Sequence, residues 1–87
     1  MKHVMKFWAP WCATCKSEGT RVDLITDHYQ VRLHEYNVEQ NADHAQKFNV
    51  KNLPTYVIME DNEENLWEEI GRAYNVRDLE DQLEKLQ

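Results

Sequence analysis

The sequence predicts an α/β fold in the order βαβαββα, a four-stranded mixed sheet with helices on both faces. Three observations carry that prediction. Short β-branched and aromatic runs alternate with segments of helical period as far as Phe48, the pattern of strands joined by helices. Two further runs flank the turn Asp61-Asn62-Glu63-Glu64, which makes them a hairpin. The C-terminal stretch has the clearest amphipathic period in the chain. At 87 residues there is room for one core, so residues 1–87 are expected to form a single domain.

His3 to Ala9 reads as the first strand, mostly apolar as burial on both faces requires, with Lys6 as the interruption. A helix is expected from Cys12 to His28, where Val22, Ile25 and Tyr29 recur at three- and four-residue spacing with Leu24 beside them. Gly19 lies inside it, costs about 1 kcal/mol against alanine, and marks an expected bend or weak spot. Val31 to Val38 reads as the second strand. Val31, Leu33, Glu35 and Asn37 share one side of it; His34, Tyr36 and Val38 share the other. Asn41 is placed to cap a short helix, Ala42 to Phe48, with a narrow apolar stripe of Ala42, Ala45 and Phe48. Lys51-Asn52-Leu53-Pro54 is a loop, Thr55 to Met59 a strand, and Asn65 to Ile70 an edge-like strand ending at Gly71. Asn75 caps the last helix, whose Val76, Leu79, Leu83 and Leu86 form one apolar face.

Composition narrows the function. The net charge of −6, from 16 acidic and 10 basic residues, argues against binding a nucleic-acid backbone, which needs a basic face. No run approaches the roughly 18 apolar residues of a membrane span. Met1-Lys2-His3 leads into an apolar run without a small-residue cleavage site, so no signal peptide is expected and a cytoplasmic location is the default. The only two cysteines, Cys12 and Cys15, stand two residues apart where the first strand gives way to the helix. A pair of this kind is catalytic or metal-binding rather than a staple. A closed metal site needs four ligands, and His3, His28, His34 and His44 offer no spacing that would complete one. Thiol–disulfide exchange is the chemistry left.

The stretch Phe7-Trp8-Ala9-Pro10-Trp11-Cys12-Ala13-Thr14-Cys15-Lys16 resembles the active-site signature of the thioredoxin family. Leu53-Pro54-Thr55 resembles that family's cis-proline loop, Asn37-Val38-Glu39-Gln40-Asn41 the segment before its second helix, and Gly71 the glycine after its last strand. The likeness covers nearly the whole chain, although the family's N-terminal strand and helix are missing and the length is closer to a glutaredoxin. Ala13-Thr14 replaces Gly-Pro between the cysteines, Thr20 stands where a helix-kinking proline is usual, and Asn62 replaces a hairpin glycine. Six residues before the first cysteine, Lys6 stands where the family has a buried aspartate, and Glu35 stands where it has the partner lysine. Either the buried pair survives with its charges exchanged, or Lys6 snorkels to the edge of a thinner fold.

The resemblance implies a thioredoxin-like fold and a protein-disulfide oxidoreductase whose only redox group is the Cys12–Cys15 disulfide, with no other cofactor. Cys12, at a helix N-terminus, is the expected nucleophile with a depressed thiol pKa, and Cys15 the resolving cysteine. Glu35, through Lys6 or a water, is the expected acceptor of the Cys15 proton. Trp11, Ala13, Leu53, Pro54, Gly71 and Arg72 are expected to line a groove in which Leu53 offers its backbone to an extended substrate. The implied partners are protein disulfides, ribonucleotide reductase among them, and a thioredoxin-reductase-type electron donor, with the chain acting as a monomer. Two other readings stay open. One is a glutathione-linked, glutaredoxin-like protein, against which stands the absence of a Cys-Pro-Tyr-Cys motif. The other is a thioredoxin-fold binding subunit of a larger assembly.

Overall fold

The computed structural model describes residues 1–64 and 66–87. The elements are β1 (Lys2–Trp8), α1 (Ala13–His28), β2 (Arg32–Asn37), α2 (Ala42–Lys47), β3 (Thr55–Asp61), β4 (Trp67–Ala73) and α3 (Val76–Lys85). The strands order as β2-β1-β3-β4. β1 and β2 run parallel, and the β1–β3 and β3–β4 pairs are antiparallel. This is the βαβαββα mixed sheet that the sequence predicts.

Alternation along the strands divides the core in two, because successive side chains point to opposite faces. Val4, Tyr56, Ile58 and Ala73 meet Val22 and Ile25 of α1 and Leu79 and Leu83 of α3. Met5, Phe7, Val57 and Met59 face the other way, beneath Ala45 of α2 and its C-cap residue Phe48. Each wholly buried leucine of α3 stabilises the fold by about 1.5–3 kcal/mol relative to an exposed position. Asn75 caps α3 as expected, its Oδ1 accepting from Asp78 N–H at 2.8 Å.

Both crossover helices end alike. After α1, Gln30 turns into the left-handed region (φ 56°), Gln30 N–H donates to Asp27 O, and Val31 N–H donates to Thr26 O. After α2, Asn49 (φ 57°) repeats this, with bonds to Gln46 O and Ala45 O. These paired closures satisfy carbonyls that the last turn would leave open and send the chain back toward the sheet.

Several expectations are corrected. α1 begins at Ala13, one residue after the expected start, because Cys12 is its N-cap, and it is continuous through Gly19. Leu24 is 66% exposed, because it sits about 200° around the helix from Val22 at 100° per residue. Asn41 precedes α2 but makes no side-chain cap; its Nδ2 donates instead to Asn37 O at 3.0 Å. Of the expected strand from Asn65, that residue lies outside the described ones. β4 starts at Trp67 and does not stop at Gly71. The ladder to β3 continues through Gly71 to the pair Tyr56–Ala73, and a register shift between Ile58 and Met59 leaves Ile70 as an extra residue in β4. A bulge absorbs the irregularity that looks like a strand end in the sequence.

Candidate active site

β1 delivers the chain to the dithiol. After Trp8 the backbone turns at Pro10-Trp11, and Cys12 N–H closes the turn on Ala9 O at 3.1 Å. Cys12 is extended (φ −86°, ψ 103°) and is the N-cap of α1. Its Sγ accepts from Cys15 N–H at 3.2 Å, so sulfur does here what a serine or aspartate oxygen does at an ordinary cap. No acidic residue occupies the first turn of α1, and the positive end of the helix dipole therefore acts on the sulfur unopposed from within that turn. The Cys12 and Cys15 sulfurs are joined as a disulfide, with their Cα atoms 5.3 Å apart.

The disulfide lies in a small apolar cluster with Ala9, against which Trp8, Val38 and Leu53 pack. Both cysteines are buried, Cys12 being the more accessible. The Leu53–Pro54 peptide bond is cis. The loop before β3 is held by Thr55 Oγ1, which donates to Asn52 O at 2.6 Å. Trp11 is 68% exposed and Ala13 is exposed beside it. Cys12, Cys15, Trp11, Ala13, Leu53 and Pro54 thus gather at one end of the sheet.

Gly71 and Arg72 do not join them. Gly71 pairs with Ile58 and Arg72 with Val57. Ile58 lies four residues beyond Pro54, about 13 Å along an extended strand. A Cβ on Gly71 would meet Gln82 Oε1 at 2.6 Å, which makes this glycine a packing position under α3. The Arg72 guanidinium turns to Glu69 at 2.9 and 3.0 Å. The strand continues two residues beyond the glycine, so Gly71 and Arg72 lie within β4, short of its end beside the disulfide.

Behind the disulfide lies a polar layer. In register, Lys6 of β1 stands between Glu35 of β2 and Tyr56 of β3. Lys6 Nζ is 3.4 Å from Glu35 Oε1, with the lysine side chain 8% exposed and the glutamate 53%. The two sequence expectations are therefore each half met: the charges do pair, but only the cation is buried. The Tyr56 hydroxyl donates to Glu18 Oε1 at 2.8 Å. Burial, and then this bond to Glu18, push the Tyr56 pKa far above the ordinary phenol value. Sequence reasoning misses Glu18 and Tyr56. The available signal is spacing, since Glu18 falls three residues after Cys15 and so flanks the same helix face.

Comparison with known proteins agrees with this geometry. The thioredoxin family model matches residues 1–85. Thioredoxin 1 of Synechococcus elongatus is 33% identical over 60 residues, covering 67% of this chain and 56% of that protein. The thioredoxin of Synechocystis is 32% identical over 57 residues, covering 63% and 53%. The chain spans about half the length of these curated relatives. Among solved structures, Fasciola hepatica thioredoxin superposes with a TM-score of 0.85 at 25% identity, covering 99% of this chain and 81% of the other. Mitochondrial thioredoxin 3 of Saccharomyces cerevisiae gives 0.84 at 28% identity, covering 97% and 77%. With its fold, its cysteine pair at the head of α1 and its family match all in accord, the chain belongs to the thioredoxin family.

Proposed function

We propose that this chain is a thiol–disulfide oxidoreductase that reduces protein disulfides by dithiol exchange. The observation that carries the reading is the position of Cys12 Sγ, at a helix N-cap and accepting from Cys15 N–H at 3.2 Å. That environment favours a thiolate, the form in which cysteine attacks. In the reduced protein the Cys12 thiolate attacks one sulfur of a substrate disulfide. The substrate S–S bond breaks, its other sulfur leaves as a thiolate that takes a proton from water, and Cys12 carries a mixed disulfide. Cys15 then attacks Cys12 Sγ, the Cys12–substrate bond breaks, and the second substrate sulfur departs. Two electrons have passed to the substrate, and the Cys12–Cys15 disulfide is the oxidised product.

Exposed Trp11 and Ala13, with half-buried Leu53 packed on the disulfide and followed by buried Pro54, mark the surface on which an extended substrate segment would lie. Family membership supports protein disulfides as substrates and a thioredoxin-reductase-type dithiol as the donor. A ribonucleotide reductase client, a single-domain monomer and a cytoplasmic location complete the proposal. The test is insulin reduction by dithiothreitol with and without the protein. Acceleration that disappears in Cys12→Ser is expected. A wild-type protein that leaves the rate unchanged refutes the reading, as would be the case for a purely structural binding subunit.

A further inference from the structure

Lys6 sits in the middle of β1 and is the one lysine whose side chain the fold takes almost wholly out of water among the described residues. Its carboxylate partner, Glu35, stays half in solvent. Water screens the anion far more than the cation, so the uncompensated part of the pair's field is positive and is felt inside the protein. The inward neighbour is the dithiol. An ideal Cβ on Gly19 would lie 3.8 Å from Lys6 Nζ. Gly19 is four residues after Cys15, about 6 Å along the same face of α1. Lys6, Cys15, Gly19, Trp8, Lys16 and Glu35 also wall a single cavity of about 200 Å³, room for several water molecules. Lys6 and Cys15 thus line the same cavity, on the face of α1 that Gly19 continues one turn after the cysteine.

We propose that Lys6 is the positioning residue for Cys15: its buried ammonium holds Cys15 as a thiolate once the dithiol is reduced, and Glu35 moderates that effect. This rests on the dithiol-exchange reading above and deepens it. Cys15 then attacks the mixed disulfide as a preformed anion. Its electron pair forms the bond to Cys12 Sγ, the Cys12–substrate bond breaks, and the leaving substrate sulfur collects its proton from water. No carboxylate has to take a proton from Cys15 first, so Glu35 acts on the charge of Lys6 and not as a base. The other charged or titratable groups facing this layer are Lys16 and Glu18 from α1 and Tyr56 from β3. Lys16 has the same sign as Lys6, and Glu18 is engaged by the Tyr56 hydroxyl.

The test uses the full chain with Cys12→Ser, which leaves Cys15 as its only thiol, and follows the ultraviolet absorbance of the thiolate against pH. Adding Lys6→Met should lower the thiolate fraction at neutral pH severalfold, because removing a nearby opposite charge disfavours the anion. Adding Glu35→Gln should raise that fraction, and Lys6→Arg should keep it. Opposite signs from the two halves of one ion pair are the signature, because a general loss of packing would move both the same way. An unmoved titration in Lys6→Met, or a shift of equal sign in both variants, overturns the proposal. If Lys6→Met does not fold, Glu35→Gln at its half-exposed site still decides by the sign of its shift. The titration needs no turnover, so a failed insulin assay refutes the oxidoreductase reading without touching this measurement, and a flat titration refutes the role of Lys6 without touching turnover.

Discussion

Replacing Gly71 by alanine places a methyl group 2.6 Å from Gln82 Oε1 and 3.3 Å from Ile58 Cδ1. The backbone tolerates the change, because no glycine here has a positive φ. The Gln82 side chain must swing away. In doing so it gives up the bonds that its Nε2 donates to Arg72 O at 2.7 Å and to Asp78 Oδ2 at 3.1 Å. Each is worth about 0.5–1.5 kcal/mol net, and water can reach part of this site, so the loss is about 1–2 kcal/mol. The reduced freedom of the unfolded chain returns about 0.4–1 kcal/mol. Gly71→Ala should therefore destabilise by about 1 kcal/mol and lower Tm by about 4–8 °C in a domain of this size. Urea or thermal unfolding measures it. In a Gln82→Ala background the same substitution should cost nothing or stabilise, and insulin reduction should be unaffected in either background. A penalty that persists without Gln82 refutes the packing argument. Full stability with lost turnover would restore Gly71 to the substrate groove, where the sequence match puts it.

Two further perturbations probe the polar groups on either face of the sheet. Tyr56→Phe removes the donor to Glu18 from a fully buried ring; Glu18 is only half-buried and can rehydrate, so a loss of about 1–2 kcal/mol is expected, and an unchanged urea midpoint would show the bond contributes nothing. On the α2 face, His3 Nε2 lies 3.1 Å from Asp61 Oδ2 and its Nδ1 3.0 Å from His34 Nε2. Burial, and then repulsion from His3 and Arg32, hold the His34 pKa below its ordinary value. The unfolded chain then takes up that proton first, so stability should fall as pH drops below about 6.5, the unfolded-state value. Unfolding midpoints at pH 7.5 and 5 test this, and His34→Gln should flatten the difference; an equally steep fall in that variant would assign it elsewhere.

How far the site is legible in the sequence depends on how local its geometry is. Cys12 and Cys15 are one helical turn apart, so their placement at a strand–helix junction needs only the apolar run before them and the polar segment after. That a lysine inside an apolar strand calls for a partner can be read from the sequence; Glu35 is named for it only by the resemblance to the thioredoxin family. Which of the two is buried has no local signal. That depends on β2 being an edge strand and β1 a central one, a property of the assembled sheet. Glu18 escapes notice for the same reason, since its partner Tyr56 is 38 residues away in sequence.

Local sequence patterns determined the element order, the apolar faces of α1 and α3 and the Asn75 cap, and the cysteine pair with its resemblance to the thioredoxin signature identified the dithiol. Those features rest on interactions within a few residues along the chain, where the spacing of side chains is set by the helix or strand repeat. The tertiary structure alone decided that β4 continues past Gly71, that Gly71 packs on Gln82 away from the disulfide, and that Asn41 bonds back to Asn37 without capping α2. It also decided that the buried charge behind Cys15 is a cation. Register, bulges and burial come from how distant strands meet, and the pairing of Gly71 with Ile58 and of Arg72 with Val57 keeps both away from the end of the sheet that holds Cys12.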